Sequence, residues 1–145
     1  KSLWALSPIE LAYIAGLFDG EGCVTIVMSH RNRYHKNWTA EYALHFSISN
    51  QHIPTLRYLK SVIGLGSVIQ SRGINYKWCL GNQQASEVLK SLRPYLKIKA
   101  KQADIAIKFQ SLLSVWTHRT LIESQKQERA ELKQEIMRLN HSYFI

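Results

Sequence analysis

The sequence predicts an α+β fold in which helices back one face of a four-stranded antiparallel sheet, with extra helices at the C-terminal end. Three observations predict it. The first is a well-marked helix start at Ser7-Pro8-Ile9-Glu10. The second is a pair of hairpin-like regions whose strands alternate apolar and polar residues with period two. The third is the order of elements, α-β-β-α-β-β-α with further helices behind, interrupted by no Pro- or Gly-rich linker and no internal repeat of the first helix. A sheet of this kind buries one face against helices and leaves the other to solvent or a partner. At 145 residues the length suits one domain over 1–145. Its core is expected over about residues 8–113, with a helical extension over about 114–145.

Ser7 stands at the N-cap, Pro8 at the first helical position and Glu10 where its side chain reaches back to the cap, so a helix begins at Pro8. From Ile9 to Phe18 it is apolar nearly all round, which implies burial on more than one side. Asp19-Gly20-Glu21-Gly22 stops it. Cys23 to Met28 is short, apolar and β-favouring, and a polar, basic segment follows from Ser29 to Thr39. The next strand alternates strictly, with Tyr42, Leu44, Phe46 and Ile48 on one face and Glu41, Ala43, His45, Ser47 and Ser49 on the other.

An amphipathic helix after Pro54 carries Leu56, Leu59, Val62 and Ile63 and ends at Gly64. A second hairpin runs from Ser67 to Arg72, turns at Gly73 and returns from Asn75 to Leu80, with Tyr76, Trp78 and Leu80 facing away from Asn75, Lys77 and Cys79. Asn82 is expected to cap a short helix that Pro94 stops after Leu92. Lys99 to Leu113 is helical. A charged helix from about Leu121 to Asn140 places Leu132, Ile136 and Leu139 on one side, as a covering helix or a dimer arm.

The formal charge is +9, with basic residues spread through the chain. That balance favours a polyanionic partner, because neutralising phosphates releases condensed counterions. No apolar run approaches the roughly 20 residues of a membrane span, and no charged-then-apolar leader opens the sequence. The expectation is a soluble protein with no membrane partner. Cys23 and Cys79 lack zinc-site spacing and read as reduced packing residues, and the six histidines show no metal-binding pattern.

Ile14-Ala15-Gly16-Leu17-Phe18-Asp19-Gly20-Glu21-Gly22 resembles the signature of the LAGLIDADG homing endonucleases. Phe46-x-Ile48-x-Asn50, Gly64-Leu65-Gly66 and the run from Pro94 to Ala103 are similar to further landmarks of that family, in the same order. The resemblance extends from about Pro8 to Leu113 and fades in the last helix. Ala12, Ala15, Gly16 and Asp19 recur at i, i+3, i+4 and i+7, and three of them are nearly without side chain, so a second helix can approach. The resemblance implies that this second helix belongs to another copy, in a homodimer.

It also implies that Glu21, helped by the carbonyl of Gly20, binds a divalent metal, Mg²⁺ with Mn²⁺ as a substitute. A carboxylate is a hard oxygen ligand of the kind Mg²⁺ takes. Asp19 is then mainly structural at the helix end. By the same resemblance Asn50 lies near the nucleophilic water and Lys99 beside the scissile phosphate, with His52 and Arg57 as weaker candidates. The polar sheet face becomes part of a saddle on double-stranded DNA, with Thr25, Ser29, Arg31, Arg33, Glu41, His45, Ser47, Gln70, Arg72, Asn75 and Lys77 as candidate contacts.

The implied activity is hydrolysis of both strands of a palindromic or near-palindromic target, leaving short 3′ overhangs, with no small-molecule substrate. An RNA-binding intron maturase and an inactive DNA-binding regulator on the same scaffold are the alternatives, which Glu21 and the lysines at 97, 99 and 101 disfavour. The implied setting is a prokaryotic cytoplasm or an organelle interior, mitochondrial or chloroplast.

Overall fold

The computed structural model describes residues 5–29, 41–115 and 123–141. Its element order is α1 (Pro8–Glu21), β1 (Gly22–Ser29), β2 (Glu41–Asn50), α2 (Ile53–Ile63), β3 (Ser67–Arg72), β4 (Asn75–Gly81), α3 (Asn82–Leu92), a 3-10 turn (Arg93–Tyr95), α4 (Ala100–Val115) and α5 (Glu123–Asn140). The four strands form one antiparallel sheet in the order β1-β2-β4-β3. This is the α+β arrangement expected from the alternating patterns.

The start of α1 is the capping box read from the sequence. Ser7 Oγ accepts from the Glu10 N–H at 3.2 Å, and Glu10 Oε1 accepts from the Ser7 N–H at 3.4 Å. The helix passes straight into β1 at Gly22, where a Cβ would run into the Phe18 ring and carbonyl, so only glycine makes that turn. α2 begins at Ile53, which puts Pro54 in its first turn, and Gly64 closes it in the left-handed conformation at φ 79°.

The alternation of β2 and β4 sorts the two sheet faces as expected. Leu44, Phe46, Ile48 and Trp78 are fully buried under the helices. Phe46 is the centre of an aromatic stack, parallel to Phe18 at 4.8 Å between centroids and edge-on to Trp78 at 5.5 Å. Trp78 satisfies its indole N–H by donating to the Leu65 carbonyl at 2.9 Å, so its bulk is buried without an orphan donor.

Three expectations change. Asn82 does not cap α3. Its backbone lies at φ 49°, and its Oδ1 accepts from the Leu44 N–H at 3.1 Å, which ties the helix start to β2 instead. Cys23 and Cys79 are not packing residues, since both are free thiols on the open sheet face, Cys23 exposed and Cys79 half-buried. In β1 the set with Val24, Ile26 and Met28 is apolar, whereas the set with Cys23 and Val27 also carries Thr25 and Ser29, and the pairing with β2 turns Cys23, Thr25 and Val27 outward.

The third change is in α5. Leu132 and Ile136 are buried as expected, but Arg129 is buried with them, its guanidinium 3.9 Å from the Tyr42 ring centre. Burial pushes the arginine pKa down while contact with Tyr42 opposes the shift. Asn140 Nδ2 donates to the Val24 carbonyl at 2.9 Å, so α5 closes part of the outer edge of β1. It is a covering helix. Among the described residues no helix is long and apolar enough to cross a membrane.

Candidate active site and nucleic-acid face

The end of α1 sends two carboxylates to different tasks. Asp19 turns into the chain. Its Oδ2 accepts from the Lys97 N–H at 2.9 Å, and its Oδ1 accepts from the N–H groups of Ile98 at 3.2 Å and Lys99 at 2.9 Å. These donors lie just before α4, where the helix dipole also favours a negative charge. Glu21 instead is exposed. Its Oε2 accepts from Asn50 Nδ2 at 2.5 Å, and Asn50 Oδ1 accepts from the His52 N–H at 2.7 Å. The second bond fixes which end of the amide faces Glu21. The remaining lone pairs of the carboxylate stay open to solvent.

Lys99 reaches the same helix end from the opposite side. Its Nζ donates to the carbonyls of Phe18 at 3.2 Å and Gly22 at 2.5 Å and sits 5.7 Å from the Phe18 ring centre. Partial burial pushes the Lys99 pKa down, and the nearby Cys23 and Asp19 oppose that shift. Glu21, Asn50 and Lys99, separated by up to 78 positions, are thus gathered around the junction of α1 and β1. Gly20 is exposed beside them. His52 and Arg57 are also exposed, and His52 Nδ1 lies 2.6 Å from Thr55 Oγ1 in the first turn of α2.

Among the described residues no group of three or more His, Cys, Asp or Glu side chains converges to hold a metal by itself. An exposed, oriented single carboxylate still fits Mg²⁺, which is commonly held by one or two carboxylates with water and phosphate oxygens completing the octahedron. A soft or nitrogen-preferring metal does not fit that donor set.

The open face of the sheet carries Cys23 and Thr25 from β1, His45, Ser47 and Ser49 from β2, Ser67 and Ile69 from β3, and Asn75, Lys77 and Cys79 from β4. The registers Cys23↔Ser47↔Cys79↔Ser67 and Ser49↔Lys77↔Ile69 lay these side chains out in rows across the strands. Although Cys23 is solvent-accessible, the surrounding protein partly desolvates its thiol and pushes the pKa up, while the positive charges of Lys99 and Lys77 oppose the shift. Both lysines therefore act on one stretch of this face.

Of the residues expected to contact DNA, Thr25, His45, Ser47, Asn75 and Lys77 lie on this face, and Arg72 stands opposite Asn75 at its end. Gln70 pairs with Tyr76, on the side of Trp78, and its Nε2 donates to the Gly73 carbonyl at 2.5 Å, yet near the hairpin end it still lines the same depression as Arg72, Asn75 and Lys77. The ladder shifts register between Gln70 and Arg72, which restores Arg72 to the open side. Ser29 and Glu41 are paired at the far end of the first hairpin, but their side chains, like Arg31 and Arg33, lie outside the described residues.

The small-residue strip of α1 also differs from its expectation. Ala15 is fully buried in the chain's own core, and Asp19 is committed to residues 97–99. Ala15 and Gly16 point about 100° apart around the helix, so a strip that includes both spans the open side and the core. The open strip consists of Ile9, Ala12, Tyr13, Gly16 and Gly20, with Ile9 82% and Tyr13 51% exposed. A Cβ on Gly16 or Gly20 would meet no atom within 4 Å.

Residues 14–112 match the family model described as LAGLIDADG endonuclease. The chain belongs to this family. It shares its fold with the homing endonuclease I-CvuI, solved with its DNA target and calcium, at 22% identity over 92% of this chain and 83% of the other, with a TM-score of 0.78. The archaeal intron-encoded I-Vdi141I, solved with DNA, covers 92% of this chain and 86% of its own at 16% identity and a TM-score of 0.79. The homing endonuclease I-TnaI matches at 22% identity over 90% of this chain and 92% of its own, with a TM-score of 0.69. Comparison with curated proteins returns no match.

Proposed function

We propose that this chain is one half of a homodimeric homing endonuclease that cuts both strands of a palindromic or near-palindromic DNA with Mg²⁺, leaving short 3′ overhangs. The observation that carries the reading is Glu21: exposed, oriented by Asn50, and set at the foot of a helix strip on which Ile9, Ala12, Tyr13 and Gly16 are exposed among the described residues. Two copies joined along Ile9, Ala12, Tyr13, Gly16 and Gly20 bring two such carboxylates together and continue the open sheet face across both subunits. The formal charge of +9 suits that face to phosphate. The solved relatives bound to DNA support the same reading.

In this reading Glu21 and the Gly20 carbonyl hold the metal, which would supply charge neutralisation at a phosphate oxygen and activation of water. Asn50 keeps the Glu21 carboxylate in one orientation. Lys99, held by two backbone carbonyls, provides a fixed positive charge toward the negative charge that develops on the phosphoryl group. Such a break at a site lacking the enzyme's own gene lets repair copy that gene into it.

Glu21→Gln tests the assignment because it keeps shape and hydrogen bonding but removes the charge. Cleavage of a selected duplex should be abolished while affinity stays within about tenfold. Cutting at the wild-type rate by that variant refutes the metal assignment. RNA binding with no duplex cleavage by the wild type supports the maturase alternative.

A further inference from the structure

Among the described residues, the open face carries one apolar side chain that is well exposed among polar neighbours. Ile69 is 45% exposed and stands opposite Lys77, which in turn stands opposite Ser49. The preceding Val68 pairs with Trp78 and turns to the core, so strand parity sends Ile69 outward. An isoleucine there forgoes most of the roughly 1.5–3 kcal/mol that burial supplies, and it does so on an edge strand, where apolar exposure invites aggregation. Folding gives no reason for it. Ile69 lines a depression of about 450 Å³ with Ser49, Arg72, Asn75 and Lys77 among its neighbours, and its charged lining residues are cationic only. An occupant that satisfies this surface offers an apolar group beside a hydrogen-bond acceptor.

Among base-pair edges in the major groove, thymine alone has that combination, a C5-methyl group next to the O4 acceptor. Cytosine places an amino donor where O4 would be, facing the lysine ammonium. We infer that the Ile69–Lys77 pair reads a thymine, with the methyl packed on Ile69 and O4 accepting from Lys77 Nζ. The inference rests on the open face being the DNA-binding face and goes beyond it in naming the base and the two residues that select it. It also adds an apolar reader to a set chosen from polar side chains alone.

The test uses the full chain and a randomised duplex library, without divalent metal so that binding is read apart from cleavage. The enriched site should contain a thymine whose replacement by deoxyuracil, which removes only the methyl, weakens binding about fourfold, the equivalent of ~0.8 kcal/mol for one buried carbon. The Ile69→Ala chain should bind the two duplexes equally. Lys77→Met should keep the methyl dependence but lose the preference for thymine over cytosine at that position. An enriched site at which no thymine shows a methyl effect that Ile69→Ala removes overturns the inference while leaving DNA binding intact. Failure to enrich any sequence or bind any duplex overturns the DNA-binding reading itself, and this inference with it.

Discussion

Replacing Asp19 by Asn removes one charge and one acceptor from a carboxylate that holds three backbone N–H groups, those of Lys97, Ile98 and Lys99. Hydrogen bonds to a charged group contribute about 1.5–3 kcal/mol each where they are shielded. Asp19 is half-buried, so the lower end applies. The amide retains one carbonyl oxygen and sets its NH₂ against a backbone donor, so the loss is close to one full bond plus the charge assistance of the others. The expected destabilisation is about 2–3 kcal/mol, or about 4–12 °C in Tm for a chain of this size. Urea titration reads it as a lower midpoint at unchanged slope, and repeating it at several protein concentrations separates any stabilisation by self-association. Because residues 97–99 carry Lys99 to the end of α1, cleavage should fall as well, although Glu21 is untouched. A midpoint shift below about 0.5 kcal/mol, accompanied by loss of dimer alone, refutes this account and returns Asp19 to the intersubunit face first read from its spacing.

Gly16→Leu should fold normally, since nothing lies within 4 Å of its Cβ, yet shift the chain toward monomer in sedimentation equilibrium and lower cleavage in parallel; an unchanged dimer excludes this strip as the interface. Lys99→Met should slow single-turnover cleavage on saturating DNA by one to three orders of magnitude, roughly 1.4–4 kcal/mol of transition-state stabilisation, and a wild-type rate removes Lys99 from the chemistry. The pH dependence of stability has a definite sign. Burial lowers the Lys99 pKa in the folded chain, so the unfolded chain binds more protons between the lowered value and 10.5, and stability contributed by this group rises with pH through that window. Relative to Lys99→Met, the wild type should gain stability on going from neutral to alkaline pH, and a constant difference contradicts the desolvated placement. Trp78→Ala, which removes the edge-on partner of Phe46 in the aromatic stack, should cost about 3–5 kcal/mol in urea titration, and a loss under 1 kcal/mol shows that the stack is not the core's anchor.

Local patterns made much of this protein legible. The Ser7–Glu10 capping box, the period-two alternation of residues 42–50 and 75–80, and the glycine at 64 act through neighbouring atoms, so each specified its element without the rest of the fold. The motif likewise singled out Glu21, and Asn50 and Lys99 followed from resemblance alone. Their meeting is a tertiary fact: the pairing of β1 with β2 brings Asn50 to Glu21, and the three bonds of Asp19 bring Lys99 under the same helix end. Where periodicity was ambiguous, the fold decided. Cys23 and Val27 are apolar like Val24 and Ile26, and the outward turn of Cys23 is fixed by its register with Ser47. Ala15 and Gly16 are neighbours about 100° apart around the helix, so only packing shows Ala15 inside and Ile9 and Tyr13 outside. Ile69 had the composition of a core residue, and the partner strand turned it outward. Sequence determines structure locally when a signal is exchanged within a few residues; where a side chain's surroundings come from distant strands and helices, its face and its chemical role are set by the tertiary structure, because burial and hydrogen-bond partners belong to the assembled fold.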